Sequence, residues 1–153
     1  MTMYRRGMNV TVAGIIGVGK STLVDNLPGK KFYEPVEANL YLTDYYKSPS
    51  EYAFKMQVNL LEMRKEIFEH AVCETKAGND VICDRSLFED YIFARLQLND
   101  GYMDERDFNT YNRMHTNATS HLPFPDIILW LNCDNVVDIA MSRMCKRGRS
   151  CEA

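Results

Sequence analysis

The sequence predicts an α/β fold in which a parallel sheet is flanked by helices. Short apolar, β-branched segments alternate along the chain with longer segments of helical periodicity. Strands separated by helices pair in parallel through right-handed crossovers. The chain has 153 residues, of which 46% are hydrophobic and 25% charged. This size and composition suit one globular domain, which we expect to cover residues 1–153.

The first half of the chain contains two predicted strands and three predicted helices. The strands are residues 8–13 and 31–33, and the helices are 20–27, 41–46 and 51–76. Pro28 and Gly29 end the first of these helices, and Gly78 and Asn79 end the last, because such residues cannot continue a helix easily. The first strand runs directly into a glycine-rich turn, which is typical of a strand-to-helix connection.

The second half continues the same alternation. Residues 81–83 and 126–131 are the predicted strands, and residues 87–98, 105–119 and 136–146 are the predicted helices. Segment 126–131 (DIILWL) follows Pro123 and Pro125 and is almost entirely apolar, so we expect it to be a buried strand.

Charge and hydropathy exclude several classes of protein. The net charge of −3 lacks the basic footprint of a protein that binds a nucleic-acid polymer. We expect no membrane association, because no apolar run approaches the ~18 residues of a membrane helix. The first ten residues have two arginines but no apolar core like that of a signal peptide. Five cysteines, an odd number, then indicate reduced thiols and a cytoplasmic location.

The glycine-rich turn at residues 14–21 (GIIGVGKS) matches the pattern G-x-x-x-x-G-K-[ST]. Glycines let backbone N–H groups turn inward around phosphate oxygens, Lys20 supplies a cation, and Ser21 supplies a hydroxyl ligand for Mg²⁺. The sequence therefore predicts a P-loop NTPase-type parallel sheet. The candidate ATP-binding residues here are Gly14, Gly17, Val18, Gly19, Lys20, Ser21 and Thr22. No N-K-x-D motif is present, which argues against a GTPase.

Two further segments offer carboxylates near strand ends. Asp84 and Arg85 follow the strand at 81–83, where a carboxylate can hold Mg²⁺ or accept a proton and an arginine can clamp a phosphoryl group. The alternative is that Asp84 caps the next helix. Pro35 keeps Glu34 in extended backbone, so the carboxylate can point into the ligand crevice, although a surface-loop glutamate is equally compatible.

The helix at 51–76 carries two polar side chains on the face that should be buried. At about 100° per residue, Gln57 and Arg64 lie in line with Ala53, Leu61 and Phe68. Buried polar groups need partners. Either they form an internal network, for example with Asp90, or they recognise a flat ligand, since a glutamine amide can pair with a base edge.

These motifs together resemble the deoxynucleoside kinases of the deoxycytidine, deoxyguanosine and deoxyadenosine kinase group. The resemblance covers nearly the whole chain. It rests on residues 14–22, Glu34-Pro35-Val36, Tyr46, 54–57 (FKMQ), Arg64, Asp84-Arg85-Ser86, 90–93 (DYIF), Arg143, Arg147-Gly148-Arg149 and Glu152. The resemblance implies ATP-dependent phosphorylation of a deoxynucleoside 5′-hydroxyl with Mg²⁺, and a homodimer that pairs through helices such as the one from residue 87.

The resemblance also implies a role for each matching residue. Glu34 is implied as the general base at the 5′-hydroxyl, Asp84 as a second carboxylate for Mg²⁺ or proton acceptance, and Arg85 as a bridge to the phosphoryl group. The assignment of the two carboxylates stays open. The implied nucleoside-binding residues are Glu34, Tyr46, Gln57, Arg64, Arg85, Asp90 and Glu152. An arginine-rich lid over the phosphates would comprise Arg143, Arg147 and Arg149, unless these only complement a helix C-terminus.

The residues of the implied nucleoside site also bear on the preferred substrate, and two rival functions stay open. The resemblance implies, through Arg64 and Asp90, a purine deoxynucleoside or deoxycytidine rather than thymidine. Met56 and Asp84 resemble the family members that act on purines. One rival is a nucleoside monophosphate kinase of the thymidylate kinase type. The other is an incomplete chain that binds nucleotide without turnover. The resemblance implies a further helix, strand and adenine loop beyond the lid, which we expect this chain to lack. Residues 126–131 would then form an exposed apolar sheet edge instead of a buried strand.

Overall fold

The computed structural model describes residues 5–147, except for the side chain of Arg147. Contacts divide this part of the chain into two compact units. The first unit consists of residues 5–34, Phe68–Ser86 and 124–147, and the second consists of Pro35–Ile67 and Leu87–Pro123.

The first unit is built on a four-stranded parallel sheet, which confirms the predicted α/β fold. Its strands are β1 (Asn9–Ala13), β2 (Lys30–Phe32), β3 (Val81–Asp84) and β4 (Ile127–Trp130), in the order β2-β3-β1-β4. Its helices are α1 (Lys20–Asn26), α6 (Val136–Arg147) and the part of α3 (Pro49–Lys76) that begins at Phe68.

Alternate side chains of the sheet supply the apolar core on its two faces. Ile82 packs in one cluster with Val10 and Val12 of β1 and with Val24 of α1. Its neighbours Val81 and Cys83 pack in another cluster with Phe32 and with Ala71 of α3. The sheet therefore has helices on both faces, and the carboxyl ends of β1, β2 and β3 lead into the segments that carry the predicted chemistry.

The expectation that residues 126–131 form a buried strand is wrong. Ile127, Ile128 and Trp130 of β4 are 41%, 54% and 63% exposed. The reason is position in the sheet, since β4 pairs with β1 and ends the strand order on that side. An apolar sequence predicts that a strand forms, but it does not predict what covers it.

The second unit is helical. It contains α2 (Leu42–Lys47), α3 as far as Ile67, α4 (Asp90–Asn99) and α5 (Glu105–Thr119), with short 3₁₀ turns at Val36–Ala38 and Leu87–Glu89. The helix predicted from residue 87 thus starts as a 3₁₀ turn. The α5 helix begins at an N-cap, Asp104, whose carboxylate accepts a hydrogen bond from the Asp107 amide at 2.7 Å. Within residues 5–147, no helix is both long and apolar enough to cross a membrane.

Candidate active site

The phosphate loop lies between β1 and α1, as its pattern predicts. Its three glycines, Gly14, Gly17 and Gly19, all have positive φ angles, of 144°, 76° and 111°. At Gly17 a Cβ atom would lie 2.9 Å from the carbonyl oxygen of Ala140 in α6, so no side chain fits there. Lys20 is 7% exposed, and its ammonium group donates to the Ile15 carbonyl at 2.8 Å. The loop therefore has the backbone freedom and the cation that phosphate binding requires.

Asp84 at the end of β3 lies against the first turn of α1. The Ser21 hydroxyl donates to Asp84 Oδ2 at 2.5 Å. The other carboxylate oxygen, Oδ1, is buried and has no hydrogen-bond partner in the part of the chain that the structure describes. A buried, unsatisfied carboxylate oxygen beside a serine hydroxyl is a donor set of the kind that Mg²⁺ prefers, so these two residues fit a magnesium site.

Glu34 and Arg85 form an ion pair in the same unit. Arg85 Nε lies 3.2 Å from Glu34 Oε2, and the two side chains are 8% and 19% exposed. Arg85 has a φ angle of 71°, in the left-handed region that non-glycine residues rarely adopt, while its amide donates to Val12 O at 3.0 Å. A backbone held in such a conformation is frequent at functional sites. The two candidate carboxylates thus have different partners, Asp84 a hydroxyl and Glu34 a guanidinium.

The predicted lid is described only at its first arginine. Arg143 Nη1 donates to the carbonyl oxygens of Gly17 at 3.1 Å and Val18 at 2.7 Å, which places a guanidinium beside the phosphate loop. Arg149 and Glu152 lie outside the described residues, as does the side chain of Arg147. The expectation for those three positions stays a prediction.

In the second unit, Gln57 and Arg64 meet Asp90. Arg64 forms a salt bridge through Nη1 with Asp90 Oδ1, and the side chains are 7% and 0% exposed. The Gln57 amide nitrogen donates to the backbone carbonyl of Asp90 at 3.4 Å. The internal network that the helix pattern left open as one alternative is therefore present. Its desolvated charges are paired, as burial requires.

Two residues that the sequence reasoning missed extend this network. The Tyr111 hydroxyl donates to Asp90 Oδ2. Burial raises the pKa of Tyr111 to about 12, although a hydrogen bond with Gln57 and the charge of Arg64 act in the opposite direction. His115 stacks on the Tyr111 ring at 6.2 Å between centroids, and its Nε2 lies 3.0 Å from the Leu87 carbonyl oxygen. Burial lowers the pKa of His115.

Helical spacing was the signal that could have found them. No chemistry was predicted for residues 99–121. In α5 the buried residues Phe108, Tyr111, His115 and Ala118 recur at three- and four-residue steps. A hydroxyl and an imidazole on such a face must find polar partners, and one of those partners is the aspartate of the predicted site.

Tyr46 lies on α2 and is 42% exposed. Its ring packs edge-on against that of Tyr45, with the centroids 5.4 Å apart. Its predicted role at the sugar stays a prediction.

The glycine-rich loop joins a strand of the parallel sheet to a helix, and a carboxylate lies at the end of the neighbouring strand. These two features define a P-loop nucleotide-binding fold. The family model described as deoxynucleoside kinase matches residues 10–153. The chain therefore belongs to the deoxynucleoside kinase family.

Relatives and solved structures agree with that membership. The deoxyadenosine kinase of Dictyostelium discoideum is 35% identical over 152 residues, which cover 95% of this chain and 59% of that protein. The deoxyadenosine/deoxycytidine kinase of Bacillus subtilis is 34% identical over 154 residues, which cover 94% of this chain and 67% of that protein. This chain thus spans about three fifths to two thirds of the length of these curated relatives.

The fold matches solved structures of a deoxyadenosine kinase from M. mycoides. The structure with the products dCMP and a flexible dCDP bound has a TM-score of 0.80 and 36% identity, and covers 95% of this chain and 73% of that one. The structure with bound dATP has a TM-score of 0.78 and 36% identity, with 95% and 74% covered. A parallel sheet with flanking helices is therefore shared with a kinase of this family.

Proposed function

We propose that this protein transfers the γ-phosphoryl group of ATP to the 5′-hydroxyl of a deoxynucleoside and releases the deoxynucleoside 5′-monophosphate and ADP. The observation that carries the proposal is the pair of carboxylates in the first unit: Asp84 accepts from Ser21 of the phosphate loop, and Glu34 pairs with Arg85. One carboxylate for a metal ion and one for a proton are what phosphoryl transfer to an alcohol needs. Family membership and the names of the relatives support the same reaction.

The phosphate loop would hold the ATP phosphates. Backbone N–H groups of residues 14–19 and the Lys20 ammonium would bind the β- and γ-phosphate oxygens, and Thr22 lies in the same stretch. Ser21 and Asp84 would hold Mg²⁺, with the free Asp84 Oδ1 as the ligand oxygen. When bound, Mg²⁺ neutralises charge on the phosphates. Arg143, together with Arg147 and Arg149, would add positive charge over the transferring group.

Glu34 is proposed as the general base, because Asp84 is the carboxylate proposed to hold Mg²⁺ together with Ser21. Glu34 takes the proton of the 5′-hydroxyl as the oxygen attacks the γ-phosphorus. The new O–P bond forms while the bond from phosphorus to the bridging oxygen breaks, and ADP leaves with that electron pair. Arg85, paired with Glu34 at 3.2 Å, would hold the carboxylate in place and interact with the phosphoryl oxygens.

The second unit would recognise the base. Gln57 would pair with a base edge through one donor and one acceptor, and the Arg64–Asp90 ion pair would complete the pocket. Tyr46 and Glu152 would contact the sugar 3′-hydroxyl. We propose a purine deoxynucleoside or deoxycytidine as the substrate, in line with the names of the relatives. A homodimer and a cytoplasmic location stay predictions.

Replacing Glu34 tests the proposed chemistry. Glu34→Gln keeps the shape and removes the base, so kcat with deoxyadenosine should fall by about 10²- to 10⁴-fold. The affinity for ATP, measured by calorimetric titration, should change little. Glu62→Gln on the exposed side of α3 is the matched control and should retain full activity. A Glu34→Gln variant as fast as the unmodified protein would overturn the assignment of the base.

A further inference from the structure

Tyr111 lies between the two halves of the network in the second unit. Its hydroxyl donates to Asp90 Oδ2, while Arg64 engages the other oxygen, Oδ1. The backbone carbonyl of the same Asp90 accepts from the Gln57 amide nitrogen at 3.4 Å. Tyr111 thus holds the aspartate that completes the ion pair and that engages the amide proposed to read the base.

The environment of Tyr111 fixes its hydroxyl in this position. The side chain is 0% exposed, and its ring stacks on that of His115. His115 is held in turn by the Leu87 carbonyl, 3.0 Å from Nε2. Since burial keeps the phenol protonated, it remains a donor to Asp90 across the working pH range. A buried donor to a carboxylate contributes more than an ordinary hydrogen bond, because the carboxylate is charged.

The contacts of Asp90 determine the orientation of the Gln57 amide. With its nitrogen directed at the Asp90 carbonyl, the amide presents its oxygen and nitrogen in one fixed arrangement. A glutamine amide that is free to rotate by 180° exchanges donor and acceptor and so accepts base edges of the opposite pattern. Losing the Tyr111 hydroxyl removes a contact that holds Asp90, the residue whose carbonyl keeps the amide in this orientation.

We propose that Tyr111 is a specificity-determining positioning residue: its hydroxyl holds the Gln57 amide and the Arg64–Asp90 pair in the arrangement that distinguishes one deoxynucleoside base from another. The inference rests on the proposed function, because it concerns the nucleoside substrate of that reaction. Tyr111 itself need not touch the substrate.

Equilibrium binding tests the inference with five ligands: deoxyadenosine, deoxyguanosine, deoxycytidine, thymidine and ATP. The values of kcat and KM are measured for each nucleoside as well. Tyr111→Phe should weaken deoxyadenosine binding on the order of tenfold and thymidine binding less, so that the ratio of the two affinities narrows. ATP affinity should not change. KM should rise with little change in kcat, because the groups that transfer the phosphoryl group are unaltered.

Tyr91→Phe is the matched control. Tyr91 also packs against His115 and Phe108, but its hydroxyl accepts from Arg95 at the exposed surface. This variant should bind every ligand as the unmodified protein does.

Each remaining outcome overturns the inference, and the outcomes distinguish its failure from failure of the proposed function. A Tyr111→Phe variant with unchanged affinities, or with affinity lost in equal proportion for all four nucleosides, shows no positioning role, while the function stands. A variant that does not fold assigns the hydroxyl to stability instead. If the unmodified protein binds no deoxynucleoside, the proposed function and the inference both fall.

Discussion

Asp84 and Glu34 carry the same functional group, and only their neighbours distinguish them. Asp84 accepts from the Ser21 hydroxyl, and its other, buried oxygen has no hydrogen-bond partner among residues 5–147. Glu34 is held by the Arg85 guanidinium. We therefore propose that the first holds a cation and that the second accepts the proton. The sequence could identify both carboxylates but could not divide these roles, since the division depends on contacts between segments far apart in the chain.

Removing the Asp84 carboxylate tests the magnesium assignment. Asp84→Asn should make ATP affinity largely independent of Mg²⁺, whereas the unmodified protein should bind ATP about tenfold or more tightly when Mg²⁺ is present. Titration calorimetry with and without Mg²⁺ measures this. Asp134→Asn, at an exposed position of the same unit, should keep the Mg²⁺ dependence. An Asp84→Asn variant that keeps it too would contradict the assignment.

His115 should make stability depend on pH. Burial lowers its pKa in the folded protein below the value of about 6.5 in the unfolded chain, so the unfolded state binds more protons as the pH falls through that range. The free energy of unfolding should therefore decrease from pH 7.5 to pH 5.5. The free energy of unfolding of the His115→Gln variant should decrease less over this range. The variant His70→Gln, at an exposed position, should show the same decrease as the unmodified protein. Urea titrations at both pH values measure this. Equal pH dependence of all three proteins would contradict this.

At the scale of elements, the phosphate loop and α6 pack backbone against backbone. Gly17 lies so close to Ala140 that a Cβ would be 2.9 Å from its carbonyl oxygen, and Arg143, one turn further along α6, donates to the loop carbonyls. The loop conformation and the helix position are therefore coupled, and a change at Gly17 affects both.

Two glycine replacements separate this packing from backbone strain. Gly17 and Gly101 have nearly equal φ angles, 76° and 74°, but a Cβ at Gly101 meets no atom of the described residues within 4 Å. Both Gly→Ala variants should lose about 1 kcal/mol or more of stability from the left-handed backbone. Gly17→Ala alone should also lose ATP affinity, by about tenfold or more. Thermal unfolding and ATP titration measure the two effects, and equal ATP affinity of the two variants would contradict the coupling.

At the scale of the whole molecule, the two compact units carry different chemistry. The first contains the phosphate loop and both candidate carboxylates, and the second contains the network around Gln57 and Asp90. Gln57→Leu should therefore weaken deoxynucleoside binding by about tenfold and leave ATP binding unchanged, while Lys20→Met should do the reverse. Separate titrations with each ligand measure this. A variant that weakened both ligands equally would contradict the division of roles.

Most of the fold and much of the site could be predicted from the sequence, because local patterns determine them. Strand and helix periods placed the elements, the loop motif placed Lys20 and Ser21, and the helical wheel placed Gln57 and Arg64 on a buried face. The apolar pattern of residues 126–131 predicted burial that β4 does not have, and the contact of Tyr111 with Asp90 was not predicted. Both depend on which segments the fold brings together, and no local pattern records that.

The acceptor specificity tests the proposed 5′-phosphorylation of a deoxynucleoside most directly. The protein is incubated with ATP, Mg²⁺ and either deoxyadenosine, deoxyguanosine, deoxycytidine or thymidine, or the matching 5′-monophosphates, and the products are identified by mass spectrometry. We expect 5′-monophosphates from the purine deoxynucleosides or deoxycytidine, little product from thymidine, and no diphosphates from the monophosphates. Diphosphates formed from monophosphates, or no phosphorylation of any deoxynucleoside, would contradict it.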